Sequence, residues 1–485
     1  MSQCLITIKD EVNCSISGVD LSYRKQLSNK FKFEIPGARH MPSVRLGRWD
    51  GTKTFCSVGL KTYVNLLPEI IPMLDEWGYD IDLDDQRIQH PQFEFNQVDE
   101  NTFEGKVWPK GHPYEGRPVV LREDQIEVVN QFLANTQCIQ ELATGFGKTL
   151  VTATLSYCCE PYGRTIVIVP NKNLIRQTYD DYINLGLDAG VFYGDRKEFG
   201  HKHTIVTWQS LNVLLKATKK DNLGTTIQEF IEDVICVMVD ECHGLKADVL
   251  TAILTGCMSN IPIRWGFTGT EPEEKMNQYS LLVSIGPIIN RISASELQEA
   301  GILSNCHVKI KQLVDFVEYK TYQEELRYLL DNEERLKYIS GMIEEYSLDG
   351  NTLVLVDRVA AGKALAEYID GAVFVSGATK ADDRKDEYDS IATGNNQVLV
   401  ATYGVAAVGI NIVRLHNVVL VEPGKSFIRV IQSIGRGLRK GFEKDFVQIY
   451  DVTSTCKFAK RHLLARKKFY AKANYKYSVE KVNWQ

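Results

Sequence analysis

Apolar and polar positions alternate in a regular way over most of the chain, from about residue 120 to residue 455. Short apolar, β-branched runs are separated by longer segments with helical periodicity, which is typical of a parallel sheet with crossover helices. The runs fall into two sets of five and therefore predict two consecutive α/β domains. The predicted strands are CIQEL at 138, TIVIV at 165, TIVTW at 204, VICVMVD at 234 and RWGFTG at 264, then TLVLVD at 352, AVFVSG at 372, QVLVAT at 397, NVVLVE at 417 and FVQIYDV at 446.

The residues before this alternation have a different character. They divide into a basic zone, 39–61, and an acidic zone, 69–100, and predict a small α+β accessory domain. The Pro- and Gly-rich stretch 108–120 predicts a linker. The predicted domains are the accessory domain at 1–105, a first α/β domain at 106–305, a second at 306–455 and a basic C-terminal helix or tail at 456–485.

The segment 456–477 is strongly basic, with eight Lys and Arg residues, no Asp or Glu, and five interleaved aromatic residues. Two interpretations are open. The cations fit a helix that contacts DNA phosphates. The aromatic residues fit a helix that packs on the second α/β domain and extends its long basic side chains into water.

Composition narrows the class of protein. The chain has 485 residues, of which 44% are hydrophobic and 24% charged, as in ordinary globular proteins. Its formal net charge of -6 means that any binding to nucleic acid depends on local basic patches. Eleven scattered cysteines without a C-x-x-C pair indicate reduced thiols in a cytoplasmic protein. We expect no membrane partner, because no apolar run approaches about 20 residues and the N-terminus does not resemble a signal peptide.

The stretch CIQEL-ATGFGKT-LVTATLSYC predicts a strand, a tight loop and a helix. It fits the phosphate-binding pattern G-x-x-x-x-G-K-[ST], except that Leu142 stands at the first glycine position. Backbone N–H groups in such a loop form an anion cradle, which Gly145 and Gly147 allow a phosphate to approach closely. Lys148 would reach the β- and γ-phosphates, and the hydroxyl of Thr149 would bind Mg²⁺. The structural alternative is a glycine-rich turn before a helix.

Two further patterns supply the charges that ATP hydrolysis needs. Asp240 and Glu241 follow an apolar strand in VICVMVDECH, and ligands gather at the carboxyl ends of parallel strands. Asp240 suits a Mg²⁺ position and Glu241 could polarise the attacking water. In QSIGRGLRK, Gln432, Arg436 and Arg439 are spaced by four and three residues and share one helix face. Such arginines, brought in from the second domain, would neutralise charge on the γ-phosphate.

ATGFGKT and DECH resemble motifs I and II of the superfamily 2 helicases, a family that commonly replaces the first glycine of motif I. The resemblance covers residues 120–455 and implies two tandem RecA-like P-loop domains that bind ATP with Mg²⁺, close around it and reopen after hydrolysis. LREDQIEVV resembles the segment that reads adenine. VPNKNLIRQ resembles motif Ia, VTWQSL the DNA-phosphate motif that follows, TGT motif III, LVLVDRV motif IV, VLVATYGVAAVGINI motif V and QSIGRGLRK motif VI.

The resemblance assigns roles to residues of this chain. It implies catalytic residues Lys148, Asp240, Glu241, Gln432, Arg436 and Arg439, with Mg²⁺ held through ATP by Thr149 and Asp240. It implies nucleotide contacts from Arg122, Gln125, Thr144, Gly145, Phe146, Gly147, Lys148, Thr149 and Gly409. It implies DNA contacts from Pro170, Asn171, Thr207, Gln209, Asp357, Arg358 and Thr402, and coupling residues His243, Thr268 and Thr270.

Details of the motifs favour DNA over RNA. Cys242 with His243, the TGT form of motif III and Gln432 at the start of motif VI resemble DExH translocases that act on DNA rather than DEAD-box proteins. RLGRWDGTKTF, LLPEIIPMLDEWGYD, TYQEELRYLLDNEERLKYI and TYGVAAVGI are similar to segments of phage recombination and repair helicases. Those helicases unwind forks, D-loops and R-loops and migrate four-way junctions. Asn411 departs from the Asp that many relatives carry in motif V.

The accessory domain offers a candidate DNA surface in which Arg45 and Arg48 flank Trp49. Cations beside an exposed aromatic residue suit fork binding, whereas Trp49 in a core would leave only a solvated basic face. The sequence therefore predicts an ATP-dependent DNA helicase that unwinds or branch-migrates branched DNA. The alternatives are a double-stranded DNA translocase without strand separation and an RNA helicase. Two other classes are disfavoured. A small-molecule kinase would have no use for the second α/β domain. An inactive DNA-binding scaffold would not need all the charged residues of ATP hydrolysis, which are Lys148, Asp240, Glu241, Arg436 and Arg439.

Overall fold

The computed structural model divides the chain into two compact units. One unit comprises residues 1–142 and 147–291, and the other comprises 143–146 and 292–485. The structure describes residues 2–35, 37–90, 92–110, 115–194, 196–218, 226–244, 248–272, 274–300, 305–379, 394–406, 415–424, 446–472 and 475–485.

The N-terminal domain is a mixed sheet covered by helices, which confirms the predicted α+β character. Its four-stranded sheet has the order β5-β2-β1-β6, with β1 antiparallel to β2 and parallel to β6. Alternate residues Cys4, Ile6 and Ile8 of β1 point into the core, as expected for a sheet with one solvated face. The elements are β1 (Ser2–Ile8), β2 (Asn13–Ser17), α1 (Leu21–Lys30), β3 (Lys32–Glu34), α2 (Pro42–Arg45), β4 (Thr52–Thr54), β5 (Lys61–Tyr63), α3 (Leu67–Glu76) and β6 (Tyr79–Asp85).

The next domain is an eight-stranded sheet with the order β10-β9-β11-β8-β12-β13-β7-β14. The neighbouring pairs β9–β11, β11–β8, β8–β12, β12–β13 and β13–β7 are parallel, and β10 is antiparallel to β9. The strands are β7 (Gln137–Leu142), β8 (Arg164–Val169), β9 (Ala189–Tyr193), β10 (Arg196–Lys197), β11 (His203–Thr207), β12 (Val234–Val239), β13 (Ile263–Thr268) and β14 (Ile288–Ile292). The helices are α4 (Glu123–Ala134), α5 (Lys148–Cys159), α6 (Lys172–Asn184), α7 (Trp208–Thr218), α8 (Ile227–Phe230), α9 (Asp248–Thr255) and α10 (Lys275–Ser284).

The second α/β domain is a seven-stranded, fully parallel sheet with the order β17-β18-β16-β19-β20-β15-β21. The strands are β15 (Asn305–Leu313), β16 (Thr352–Val356), β17 (Val373–Val375), β18 (Val398–Thr402), β19 (Asn417–Val421), β20 (Phe446–Ser454) and β21 (Lys476–Val482). The helices are α11 (Ala294–Glu299), α12 (Tyr322–Asp331), α13 (Glu333–Ser347), α14 (Val359–Tyr368), α15 (Tyr403–Ala406) and α16 (Lys457–Lys472). No helix in the described ranges is long and apolar enough to cross a membrane.

The C-terminal segment consists of a helix and a strand, and the strand belongs to this second sheet. Strand β21 pairs in parallel with β15 from His307↔Lys476 to Leu313↔Val482. Helix α16 buries Leu463, Phe469 and Tyr470, as the packing interpretation expected.

The N-terminal domain packs directly against helix α10 of the first α/β domain. The ring of Tyr279 lies among Phe31, Phe33 and Phe55, at centroid distances of 6.0, 4.8 and 5.9 Å. The Tyr279 hydroxyl donates to Glu69 at 3.0 Å, and Val283 is part of the N-terminal core. The accessory domain is therefore fixed to the ATP-binding half of the chain by shared core packing within one unit.

Replacing Tyr279 tests this interface. We expect Tyr279→Ala to destabilise the unit by about 3 kcal/mol because the ring leaves a cavity among three phenylalanines. Tyr279→Phe loses only the hydrogen bond to Glu69 and should cost about 1 kcal/mol. Urea unfolding followed by circular dichroism measures both. The exposed Val213 of α7 provides the control, because Val213→Ala should stay within about 0.5 kcal/mol. Equal midpoints for Tyr279→Ala and this control would contradict the interface.

Candidate functional site

The predicted phosphate loop lies between β7 and α5, as the sequence indicated. Gly145 and Gly147 adopt left-handed φ values of 93° and 95°, which glycine tolerates and other residues rarely adopt. Leu142 is the last residue of β7 and is fully buried. The residue that replaces the first motif glycine thus belongs to the hydrophobic core beneath the loop. Lys148 and Thr149 are the first two residues of the helix that follows, α5.

The predicted adenine-reading residues lie beside this loop. A Cβ atom on Gly147 would come within 2.5 Å of Gln125 Nε2, so the glycine allows this close approach. Gln125 is 2% exposed, and its Oε1 accepts the Arg122 backbone N–H at 3.2 Å. The Arg122 guanidinium donates twice to Asp124, at 3.0 Å each. These contacts orient both side chains at the start of α4.

A chain of polar contacts joins the residues of motifs I, II and III. Lys148 Nζ lies 3.2 Å from Glu241 Oε1, and Glu241 Oε2 lies 3.2 Å from His243 Nδ1. The same His243 nitrogen lies 3.0 Å from the Thr268 hydroxyl. Thr268 in turn donates to the Thr270 carbonyl at 2.6 Å and accepts its N–H at 3.2 Å. Predicted catalytic and coupling residues therefore form one connected network.

Burial sets the electrostatics of the two acidic residues. Burial first, and the neighbouring Glu241 carboxylate second, raise the pKa of Asp240 to about 6. Burial opposes ionisation of Glu241 as well, but Lys148 and His243 outweigh it and lower the Glu241 pKa. Burial also works against the charge on Lys148, yet the two carboxylates leave its pKa raised. The Lys148–Glu241 pair is thus charged, and Asp240 is the group held closer to neutrality.

Glu241 also has an unusual backbone. Its φ is +49°, which is uncommon for a residue other than glycine. Strained residues of this kind concentrate at functional sites. The turn after β12 directs the Glu241 backbone N–H to the Asp240 carboxylate at 2.9 Å. The hydroxyl of Thr149 and the Asp240 carboxylate offer hard oxygen atoms, the donor type that Mg²⁺ prefers.

The predicted DNA contacts of the first α/β domain share the carboxyl edge of its sheet with the acidic pair. Pro170 follows β8, Thr207 ends β11, Asp240 follows β12 and Thr268 ends β13. The Thr207 hydroxyl bonds to Ser210 at 2.9 Å. Asn171 accepts the Leu174 N–H at 3.1 Å at the start of α6, and Gln209 is exposed on α7.

The second unit brings its own predicted contacts to strand ends. Asp357 and Arg358 follow β16, and Arg358 pairs with Asp331 at 3.6 Å. Thr402 ends β18, and its register partner on β16 is Val356. The remaining predicted residues of motifs V and VI, Gly409, Asn411, Gln432, Arg436 and Arg439, lie outside the described residues.

The accessory-domain candidates lie between β3 and β4. Arg45 and Arg48 are exposed. Trp49 is half-buried, and its indole N–H donates to the Thr52 carbonyl at 3.1 Å, so it is neither fully exposed nor a core residue. Sequence reasoning missed two apolar neighbours, Leu46 at 65% and Met41 at 44% exposure. Their only signal was apolar character inside a basic stretch.

Comparison with known proteins identifies the class. Residues 118–273 match the family model for the res subunit of type III restriction enzymes, and residues 312–441 match the helicase conserved C-terminal domain. The chain belongs to the superfamily 2 helicases and is an ATP-hydrolysing helicase that binds nucleic acid. The two tandem helicase domains predicted from sequence are thereby confirmed.

The chain is similar to several individual proteins. The chain is 28% identical to the ATP-dependent DNA helicase uvsW of Enterobacteria phage T4 over 495 residues, covering 94% of this chain and 92% of that protein. The crystal structure of T4 UvsW covers 100% of both chains at 23% identity and a TM-score of 0.47. The DNA-bound type ISP restriction-modification enzyme LlaBIII shares the fold over 86% of this chain and 36% of its own, with 14% identity and a TM-score of 0.56.

The contact between Gly147 and Gln125 gives a test of the nucleotide site. We expect Gly147→Ala to raise the KM for ATP by about tenfold or more, because the new methyl group displaces Gln125 and strains the loop. Gly186→Ala is the matched control. Gly186 has a similar φ of 71°, but the nearest atom to its added Cβ is Lys106 Nζ at 3.7 Å. Steady-state ATPase assays on both variants measure the KM for ATP. An unchanged KM in Gly147→Ala would contradict the close approach of Gln125 to Gly147.

Proposed function

We propose that this protein is an ATP-dependent DNA helicase that unwinds or branch-migrates branched DNA, such as forks, four-way junctions, D-loops and R-loops. The network from Lys148 through Glu241 and His243 to Thr268 carries the proposal. It connects the phosphate loop to the carboxyl ends of β12 and β13. The candidate DNA-phosphate residues Pro170 and Thr207 follow or end β8 and β11 at the same edge of the sheet, so a change at the nucleotide acts beside them. The similarity to a phage DNA helicase over 94% of the chain supports DNA as the substrate.

The side chains of this network have distinct proposed roles. Lys148 binds the β- and γ-phosphates and, in doing so, exchanges its ion pair with Glu241 for one with phosphate. Glu241, freed from the lysine, accepts a proton from the attacking water. Thr149 and Asp240 would hold Mg²⁺, which would supply positive charge to neutralise the charge that develops on the phosphate oxygens. His243 contacts both the Glu241 carboxylate and the Thr268 hydroxyl, and through these contacts it couples hydrolysis to motif III.

Lys148→Ala tests the motor assignment. We expect ATP turnover to fall by at least about 100-fold, because a charge that stabilises the transferred phosphate is removed, while DNA affinity stays unchanged. Arg196→Ala removes a cation that pairs with the neighbouring Glu198 on an edge strand and serves as the control. ATPase rates and DNA titrations on the same preparations give the answer. A normal rate of ATP hydrolysis by Lys148→Ala would contradict the assignment as an ATP-driven motor.

Substrate choice is measured on duplex, forked, four-way-junction and R-loop DNA side by side. We expect ATPase stimulation and product formation to be greatest on the branched substrates. Displacement of a triplex strand without fork unwinding would instead support a double-stranded DNA translocase. Stimulation by RNA but not by DNA would support an RNA helicase.

The role of the accessory domain is best tested by point changes. Its deletion would expose the core that it shares with α10, so loss of activity would carry no information. We expect Arg45→Gln/Arg48→Gln to weaken fork binding and to reduce its log–log salt slope by about 1.8, since each bound phosphate contributes about 0.9. Basal ATPase should remain normal. Lys9→Gln/Lys25→Gln removes two exposed cations from the same domain as the control. An unchanged salt slope for the arginine variant would remove this surface from the proposal.

A further inference from the structure

The C-terminal helix α16 is held on the second sheet by a buried ionic anchor. Arg466 is 3% exposed and donates to both carboxylate oxygens of Asp451, at 2.9 Å each. The Tyr470 hydroxyl donates to the same carboxylate at 2.9 Å. Breaking such a buried charge pair is costly because it leaves an uncompensated charge in the interior. The anchor therefore fixes the helix in one rotational position about its axis.

The N-terminus of α16 is fixed as well. The buried Glu325 carboxylate of α12 accepts the Phe458 N–H at 3.0 Å and the Ala459 N–H at 2.7 Å. This contact satisfies backbone donors that have no partner within the helix and places a negative charge at its positive end. With both ends held, the side of α16 that faces away from the sheet has a defined surface.

That outward side is a row of cations. Lys457, Lys460, Arg461 and Lys468 are exposed, and Lys467 is partly exposed. Their spacing of three, four and seven residues places them along one side of the helix over roughly 16 Å. None of these five residues forms a salt bridge with a residue in the described part of the chain. In a protein with a net charge of -6, this row is a local concentration of positive charge.

The aromatic residues of α16 are buried or covered by neighbouring side chains. Phe469 and Tyr470 are buried, at 7% and 0% exposure. Phe458 is half-buried beside Tyr322, and Lys457 and Arg461 lie over its ring at 5.8 and 5.7 Å. Sites for single-stranded DNA combine cations with exposed aromatic rings on which bases stack. The outward face of α16 offers charge without such a platform, and its one large apolar side chain, Leu464, cannot stack. Its chemistry fits a phosphate backbone rather than bases.

We propose that the outward face of α16 binds the phosphate backbone of duplex DNA. The inference rests on the proposed function and adds a further DNA surface, on the second helicase domain, that no motif supplies. Phosphates of one strand of duplex DNA rise by about 3.4 Å each along the axis but also wind around it, so a straight row of cations can meet a few consecutive phosphates of a strand. A rigid helix and a rigid backbone lose little conformational entropy when they associate.

The test replaces three cations in the full-length protein as Lys460→Gln/Lys467→Gln/Lys468→Gln. We expect the log–log salt slope for duplex binding to fall by about 0.9 for each phosphate that the protein no longer neutralises, or about 2.7 for three. Affinity for duplex should drop roughly tenfold or more, whereas affinity for a single-stranded oligonucleotide should change little. ATPase activity without DNA should equal that of the wild type, because no changed residue lies in the nucleotide site.

The control keeps the charge and the fold. Lys460→Arg/Lys467→Arg/Lys468→Arg should retain the wild-type slope, because phosphate binding needs the cation rather than the ammonium group itself. An unchanged duplex slope in the glutamine variant, or an equal loss for single strands, would overturn the proposal. The proposal would also be overturned if the glutamine variant kept the wild-type salt slope for duplex DNA but bound more weakly than the wild type to vesicles of phosphatidylglycerol in phosphatidylcholine. If the wild type binds no DNA at all, the proposed function itself fails; if it binds DNA and the variant matches it, only the α16 surface is excluded.

Discussion

Parallel strand pairing is the constraint on which the rest of this molecule depends. Crossover helices return each chain segment to the same end of the sheet, so successive strands deliver their last residues to one edge. In the first helicase domain this geometry gathers Pro170, Thr207, Asp240 and Thr268, residues that are far apart in sequence. Their proximity needs no long-range signal in the sequence beyond the alternation of strands and helices. The chemistry of the site follows from which side chains happen to end the strands.

Both units contain charged side chains that are largely buried. In the first, Lys148 and Glu241 form an ion pair at 3.2 Å, and the neighbouring Asp240 has a raised pKa. In the second, Asp451 is bound by Arg466, and burial raises the pKa of Glu422 to about 7 despite its contact with Arg335. The second set has no exposed partner among the described residues and stabilises helix positions. A low-dielectric interior strengthens the ion pairs in both units.

All ten strands predicted from the sequence are present. The clearest of them, such as β12, β16 and β19, are continuous apolar runs that are buried on both faces. The strands that sequence reasoning missed are short, lie at or near sheet edges, or alternate in polarity. For example, β15 reads NCHVKIKQL and β21 is almost entirely exposed. The basic composition of the C-terminal segment predicted a charged helix or tail, and strand β21 was therefore not predicted. The motif residues were recognisable because spacing alone defines them. Spacing did not predict the half-buried state of Trp49, whose indole N–H donates to the carbonyl of Thr52 three residues later.

The position of the accessory domain changes how its contribution is understood. A domain on a flexible linker acts mainly by raising the local concentration of substrate. Here the domain shares a hydrophobic core with α10, and α10 begins five residues after Thr270, which is hydrogen bonded to Thr268. Packed side chains transmit displacement with little compliance. A displacement at Arg45 and Arg48 would therefore be transmitted through Tyr279 and its neighbours to the segment beside Thr270, because all of these residues belong to one compact unit.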